Sequence, residues 1–268
     1  MLLDGMSVHV LPAVGVKVLD EEGPPGLREP LTTVVPQLAW HGGPIQTVPR
    51  IFIVFWGPKW TTADGEYKAL VGFFKAIGGH GWINIDTQYS GSNGRITNPT
   101  GQLEGAWIDA SAPPAIPTAG QVGAEAQKLA LHFRYPDGIN GSYIVAIEKG
   151  IHPSGFMTSW CAYHTSENET EGPVAFTNLP YQSDAGGHCG MGAVNNPGTF
   201  DGASIVAGHE EAETQTDPHP LSGWVDSNRK EIGDKCAWQN LINNPQAGGF
   251  PTQPLWDNRI ARCAQSGP

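Results

Sequence analysis

Apolar residues along this chain fall in short blocks, and their spacing changes from block to block. Arg50–Gly57, RIFIVFWG, is a continuous apolar run rich in β-branched and aromatic side chains, which predicts a buried strand. In GEYKALVGFFKAIGG the apolar positions Leu70, Val71, Phe73, Phe74 and Ile77 have helical spacing, and Gly78-Gly79 stops the helix. Short strands are expected around 82–89, 96–98 and 103–108. The Ala- and Leu-rich stretch 119–133, AGQVGAEAQKLALHF, predicts a second helix. GSYIVAIEKG (141–150), MTSWCAYHT (157–165) and PVAFTNLPY (173–181) predict further strands. A glycine-rich loop then leads into a third helix near Asp201, capped by Asp201 or Thr199. Asp217-Pro218 ends it, because a residue before proline avoids the α region. The order predicts an α+β fold, a mixed sheet against helices.

The stretch before this pattern reads differently. EEGPPGLREP is rich in proline and charge, so residues 1–37 are expected to form an extended arm or pro-like segment. No linker or repeat interrupts 38–268, which reads as a single domain. The start, MLLDGMSVHVLPAVG, is a poor signal peptide: it lacks a basic beginning, and Asp4, His9 and Pro12 break its apolar run. No segment is long and apolar enough to predict a membrane span.

Composition narrows the function. The 35 Gly and 23 Pro fit a loop-rich fold with tight turns. A net charge of −11, with scattered lysines and arginines, repels a phosphate backbone and argues against nucleic acid. Cys161, Cys189, Cys236 and Cys263 form no C-x-x-C motif, so an even set of disulfides in an oxidising compartment is expected. Sequential pairing, Cys161–Cys189 and Cys236–Cys263, is favoured because each pair closes a moderate Gly/Pro-rich loop.

The chemistry concentrates in the third helix, at Gly208-His209-Glu210-Glu211-Ala212-Glu213. This is H-E-x-x-E, one letter from the H-E-x-x-H of zinc proteases. Residues i and i+4 share a helix face, so His209 and Glu213 can both reach one metal ion. Glu210 stands where such enzymes place their general base. The preceding ASIVAG is small and apolar, which predicts burial, and a buried His-Glu-Glu cluster needs a cation to offset its charge. A third ligand must come from elsewhere. Asp217, His219, Glu231, Asp234 and His164 are the candidates, Asp234 also as a partner orienting a ligand and His164 also as an oxyanion donor.

Several blocks together resemble the EXORDIUM / phosphate-induced protein family and its microbial zincin-like metallopeptidase relatives. They are WHGGPI, IFIVFWGPKW, CAYHT, GHEEAETQTDP, GWVDS and EIGDKCAW, in that order, over roughly residues 38–263. The resemblance implies a zincin-like domain with a twisted mixed sheet and an active-site helix. It implies an extracellular protein and favours Glu231 as third ligand. The expected activity is that of a zinc-dependent hydrolase, a peptidase. His209, Glu213 and Glu231 hold Zn2+, Glu210 activates the water, and His164 or Tyr163 steadies the oxyanion. In a zincin an edge strand before the helix receives the peptide, and PVAFTNLPY is the nearest candidate. The alternatives are a secreted binder of cell-wall glycan, using some of the nine tryptophans, or a degenerate zincin with a structural ion.

Overall fold

A computed structural model describes residues 1–16, 35–134, 138–167 and 174–268; EEGPPGLREP lies outside them. Its centre is a six-stranded mixed sheet. In chain order the strands are β1 (His9–Pro12), β2 (Arg50–Trp56), β3 (Leu103–Asp109), β4 (Gly141–Ile147), β5 (Trp160–Glu167) and β6 (Val174–Leu179). Across the sheet they run β1-β5-β6-β4-β2-β3. The pairs β3–β2, β2–β4 and β4–β6 are parallel, and β6–β5 and β5–β1 antiparallel. Parallel strands need both faces covered, which is why β2 and β4 read as unbroken apolar runs. Every residue of β4 is buried.

Three helices cover the sheet: α1 (Gly65–Ile77), α2 (Ala119–Phe133) and α3 (Asp201–Thr216). Asp64 caps α1 by accepting from the Glu66 and Tyr67 amides, and Thr118 with Gln121 forms a capping box on α2. Strand alternation assigns the faces. Phe52 meets Phe133 of α2, whereas Phe55 meets Tyr67 of α1. Tyr143 stacks on Phe52, and its neighbour Ser142 turns the other way to reach Glu211 of α3. Thus α2 lies on one face, and α1 and α3 on the other.

Helix α3 is buried along its whole length. It approaches α1 closely at Gly208, where a Cβ would lie 2.9 Å from Phe73 Cζ and from Trp82 Cη2. Gly208→Val should therefore cost about 1–3 kcal/mol by overpacking. A lowered urea midpoint with an unchanged m-value is the expected reading; an unshifted midpoint would mean that the helices separate freely.

The disulfides Cys161–Cys189 and Cys236–Cys263 pair sequentially, as expected. The first ties β5 to the loop that enters α3, and a loop of that size stabilises by about 3–4 kcal/mol in the chain-entropy account. Disulfides suit an oxidising compartment. Among the described residues no helix is long and apolar enough to cross a membrane.

Four local expectations differ. Residues 96–98 form no strand; the short strands near them are Ser90–Gly91 and Gly94–Arg95. Residues 83–88 form a 3-10 helix, not a strand, because Thr87 and Gln88 side chains bond back to the Asn84 and Ile85 carbonyls. Neither Thr199 nor Asp201 caps α3: Asp201 is its first residue, and its carboxylate binds the loop amides of Val194 and Asn195. PVAFTNLPY supplies β6, which is internal between β5 and β4. The edge on that side of the sheet is β1, drawn from the stretch read as an arm.

Candidate metal centre

Three elements carry the site. Helix α3 presents His209 and Glu213, one turn apart on one face, with Glu210 next to His209. Strand β5 supplies His164 from its α3-facing side, and a turn after the helix supplies Glu231 and Asp234. The helix stops where required: Asp217 leaves helical geometry, and its carboxylate accepts from the Leu221, Ser222 and Gly223 amides at 2.6, 3.2 and 2.7 Å. That brings the chain back to the helix. At the turn, Gly233 permits contact, since a Cβ there would lie 2.7 Å from His209 Nδ1 and 2.9 Å from Glu213 Oε1. The Asp234 amide donates to Glu213 Oε1 at 3.0 Å, and the Glu231 amide to Asp234 Oδ2 at 3.2 Å.

The side chains converge. His209 Nε2 lies 3.0 Å from Glu213 Oε1 and 3.8 Å from Asp234 Oδ1. His164 Nδ1 lies 3.2 Å from Glu210 Oε2 and 3.5 Å from Glu213 Oε2, while its Nε2 is 3.4 Å from Glu231 Oε2. The first strand adds His9, with Nε2 2.5 Å from Asp234 Oδ2 and Nδ1 3.6 Å from Glu231 Oε1. Three groupings can each offer three ligand atoms to a metal: His209–Glu213–Asp234, His164–Glu210–Glu213 and His9–Glu213–Glu231. Glu213 belongs to all three.

The electrostatics of this cluster are unbalanced. Burial drives the Glu231 carboxyl well above its ordinary range, and the charges of Asp217, Glu213 and Asp234 add to the effect. Burial also raises Glu210 to about 7, against the pull of His209 and His9. For His209, burial opposes the charge, but Glu213, Glu210 and Asp234 together outweigh it and the imidazole rises to about 9. Burial lowers His164 to about 4, although Glu213 pulls the other way. Asp234 resists burial through the charge and bond of His9 and falls to about 2.

Several of these atoms have an oppositely charged neighbour but make no hydrogen bond. Both Glu231 oxygens, Glu213 Oε2, both His209 nitrogens and His164 Nε2 are buried without a hydrogen bond. An unpaired buried polar atom costs about 1–3 kcal/mol. Convergent imidazole and carboxylate atoms in this condition fit a divalent cation.

The residues expected from sequence stand as follows. His209, Glu210, Glu213, Glu231 and His164 are brought together. His164 lies among the candidate ligands rather than at their margin. Asp234 is beside them and bonded to His9. The Asp217 oxygens are taken by backbone amides, and His219 stands outside the three groupings. Tyr163 follows strand alternation to the other face of the sheet, where its ring meets Trp160 at 5.1 Å between centroids. Among the tryptophans considered as sugar platforms, Trp56, Trp60, Trp82, Trp160 and Trp256 are buried. His9 was missed: an isolated histidine in an aperiodic stretch carries no spacing signal.

No protein-family model, curated protein or solved structure matches this chain, so the reading of the site rests on its own geometry.

Proposed function

We propose that this protein is a zinc-dependent hydrolase acting on peptide bonds. The observation that carries the reading is the convergence on Glu213 of fully buried imidazole and carboxylate atoms that make no hydrogen bond. His209 and Glu213 would hold the ion from one helix face. Glu231, which groups with Glu213 and His9, would complete the set because neither of its oxygens makes a hydrogen bond, whereas Asp234, which groups with His209 and Glu213, has Oδ2 engaged by His9 and by the Glu231 amide. Asp234 then orients the ligands rather than binding. The resemblance to the EXORDIUM family and its zincin-like relatives points the same way, and the disulfides suit an extracellular setting.

A zinc ion there would supply Lewis-acid polarisation of the substrate carbonyl and of the attacking water. Glu210, poised near neutrality by burial, would take the proton from that water as its oxygen bonds to the carbonyl carbon. It would then hand the proton to the amine as the carbon–nitrogen bond breaks. Neutral His164 is within 3.2 Å of Glu210 and orients it. Metal analysis is the direct test. The chain, dialysed against a zinc-containing buffer and then a metal-free one, should retain stoichiometric zinc. Its X-ray absorption edge should report a nitrogen and oxygen shell without sulfur. Retention of no metal would end the reading.

A further inference from the structure

The first strand does more than lengthen the sheet. It pairs antiparallel with β5 beside the metal cluster, with His9 opposite His164, Val10 opposite Tyr163 and Leu11 opposite Ala162. From there it sends groups into the cluster. The Leu11 amide donates to Glu210 Oε1 at 3.3 Å, and His9 bonds Asp234 and comes within reach of Glu213 and Glu231. Under the reading above, Glu210 exchanges a proton with the nitrogen of the peptide being cut. An extended main chain that sets an N–H on that carboxylate stands where such a peptide must stand. The anchoring matches a bound peptide as well: Val8, Leu11 and Ala13 are buried, while Met1 and Leu2 on one side and Val14 and Val16 on the other are exposed.

We propose that the β5 edge is a groove for an extended polypeptide, bound by strand addition, and that residues 9–12 fill it as a built-in competitor with His9 seated on the cluster. Its consequence for catalysis rests on the metallopeptidase reading; the groove itself rests on the strand geometry. Releasing the segment would free the edge, the Glu210 carboxylate and the place taken by His9.

The full chain, with a specific protease recognition sequence inserted between Gly15 and Val16, allows the test. After cleavage, a fluorescent peptide of residues 1–15 is exchanged into the folded remainder and followed by anisotropy. Saturable binding is expected, with competition from peptides of unfolded casein. The His9→Ala peptide should bind about tenfold more weakly or worse, the worth of one charge-assisted hydrogen bond. In the zinc-loaded cleaved chain, casein hydrolysis should rise and be suppressed again by the 1–15 peptide. If the chain unfolds when the fragment leaves, the strand is part of the fold and the proposal is wrong. It is equally wrong if casein peptides do not compete, or if hydrolysis is indifferent to added 1–15 peptide. Competition without any hydrolysis would uphold the groove and overturn the hydrolase reading instead.

Discussion

Glu210→Gln should abolish peptide hydrolysis while leaving the metal and the fold in place. The substitution is nearly isosteric. Glu210 accepts from the Leu11 amide through one oxygen and meets His164 Nδ1 with the other. A glutamine can keep an acceptor toward Leu11 and present its NH₂ to the imidazole, whose neutral form has a free acceptor to offer. It cannot take a proton from water. General-base catalysis contributes about 10²–10⁴-fold, so kcat should fall by that order. Bound zinc and the melting temperature should stay near the parent values, since Glu210 is not among the proposed ligands. A Glu210→Gln protein with full activity would remove the mechanism; one that also loses its zinc would move Glu210 into the ligand set.

The helix part of this site was legible because its geometry is local, whereas His164 and Glu231 stood only among several candidates for a ligand from elsewhere. His209, Glu210 and Glu213 lie within two turns of one helix, so periodicity alone places them together. The buried strands β2 and β4 were legible for a similar reason, since two covered faces impose a continuous apolar run. What was hidden depends on pairing between distant segments. PVAFTNLPY has the composition of a strand, but nothing in it distinguishes an internal strand from an edge. That choice was made when β5 folded back antiparallel along it and β1 covered β5. His9 reaches Asp234 across most of the chain, and no spacing rule spans that distance. The misreading of 83–88 has a local cause. Ile83 and Ile85 alternate like a strand, but Thr87 and Gln88 capture nearby carbonyls, and these bonds favour the tighter turn.

Removing the metal should lower the thermal transition substantially, and Glu213→Ala should make that transition insensitive to metal. A ligand that binds only the folded chain stabilises it by RT ln(1 + [L]/Kd), about 4 kcal/mol at a thousandfold excess over Kd. For a chain of this size that corresponds to roughly 8–16 °C in melting temperature, taking about 2–4 °C per kcal/mol. On the proposed reading the stabilisation would centre on Glu213, the one carboxylate common to the three possible ligand groupings. Its loss removes a ligand from each, so no regrouping of the remaining side chains restores the shell. Glu211→Gln is the control. Glu211 is also fully buried on α3, but it faces the sheet and accepts from Ser142 and Gln215, away from the cluster. Its replacement should leave the response to chelator intact. Calorimetry of the three proteins with zinc and with chelator separates a metal effect at Glu213 from the general cost of altering a buried helix. Equal transitions with and without chelator in the parent protein would show that the buried polar atoms around Glu213 are satisfied by something other than a metal.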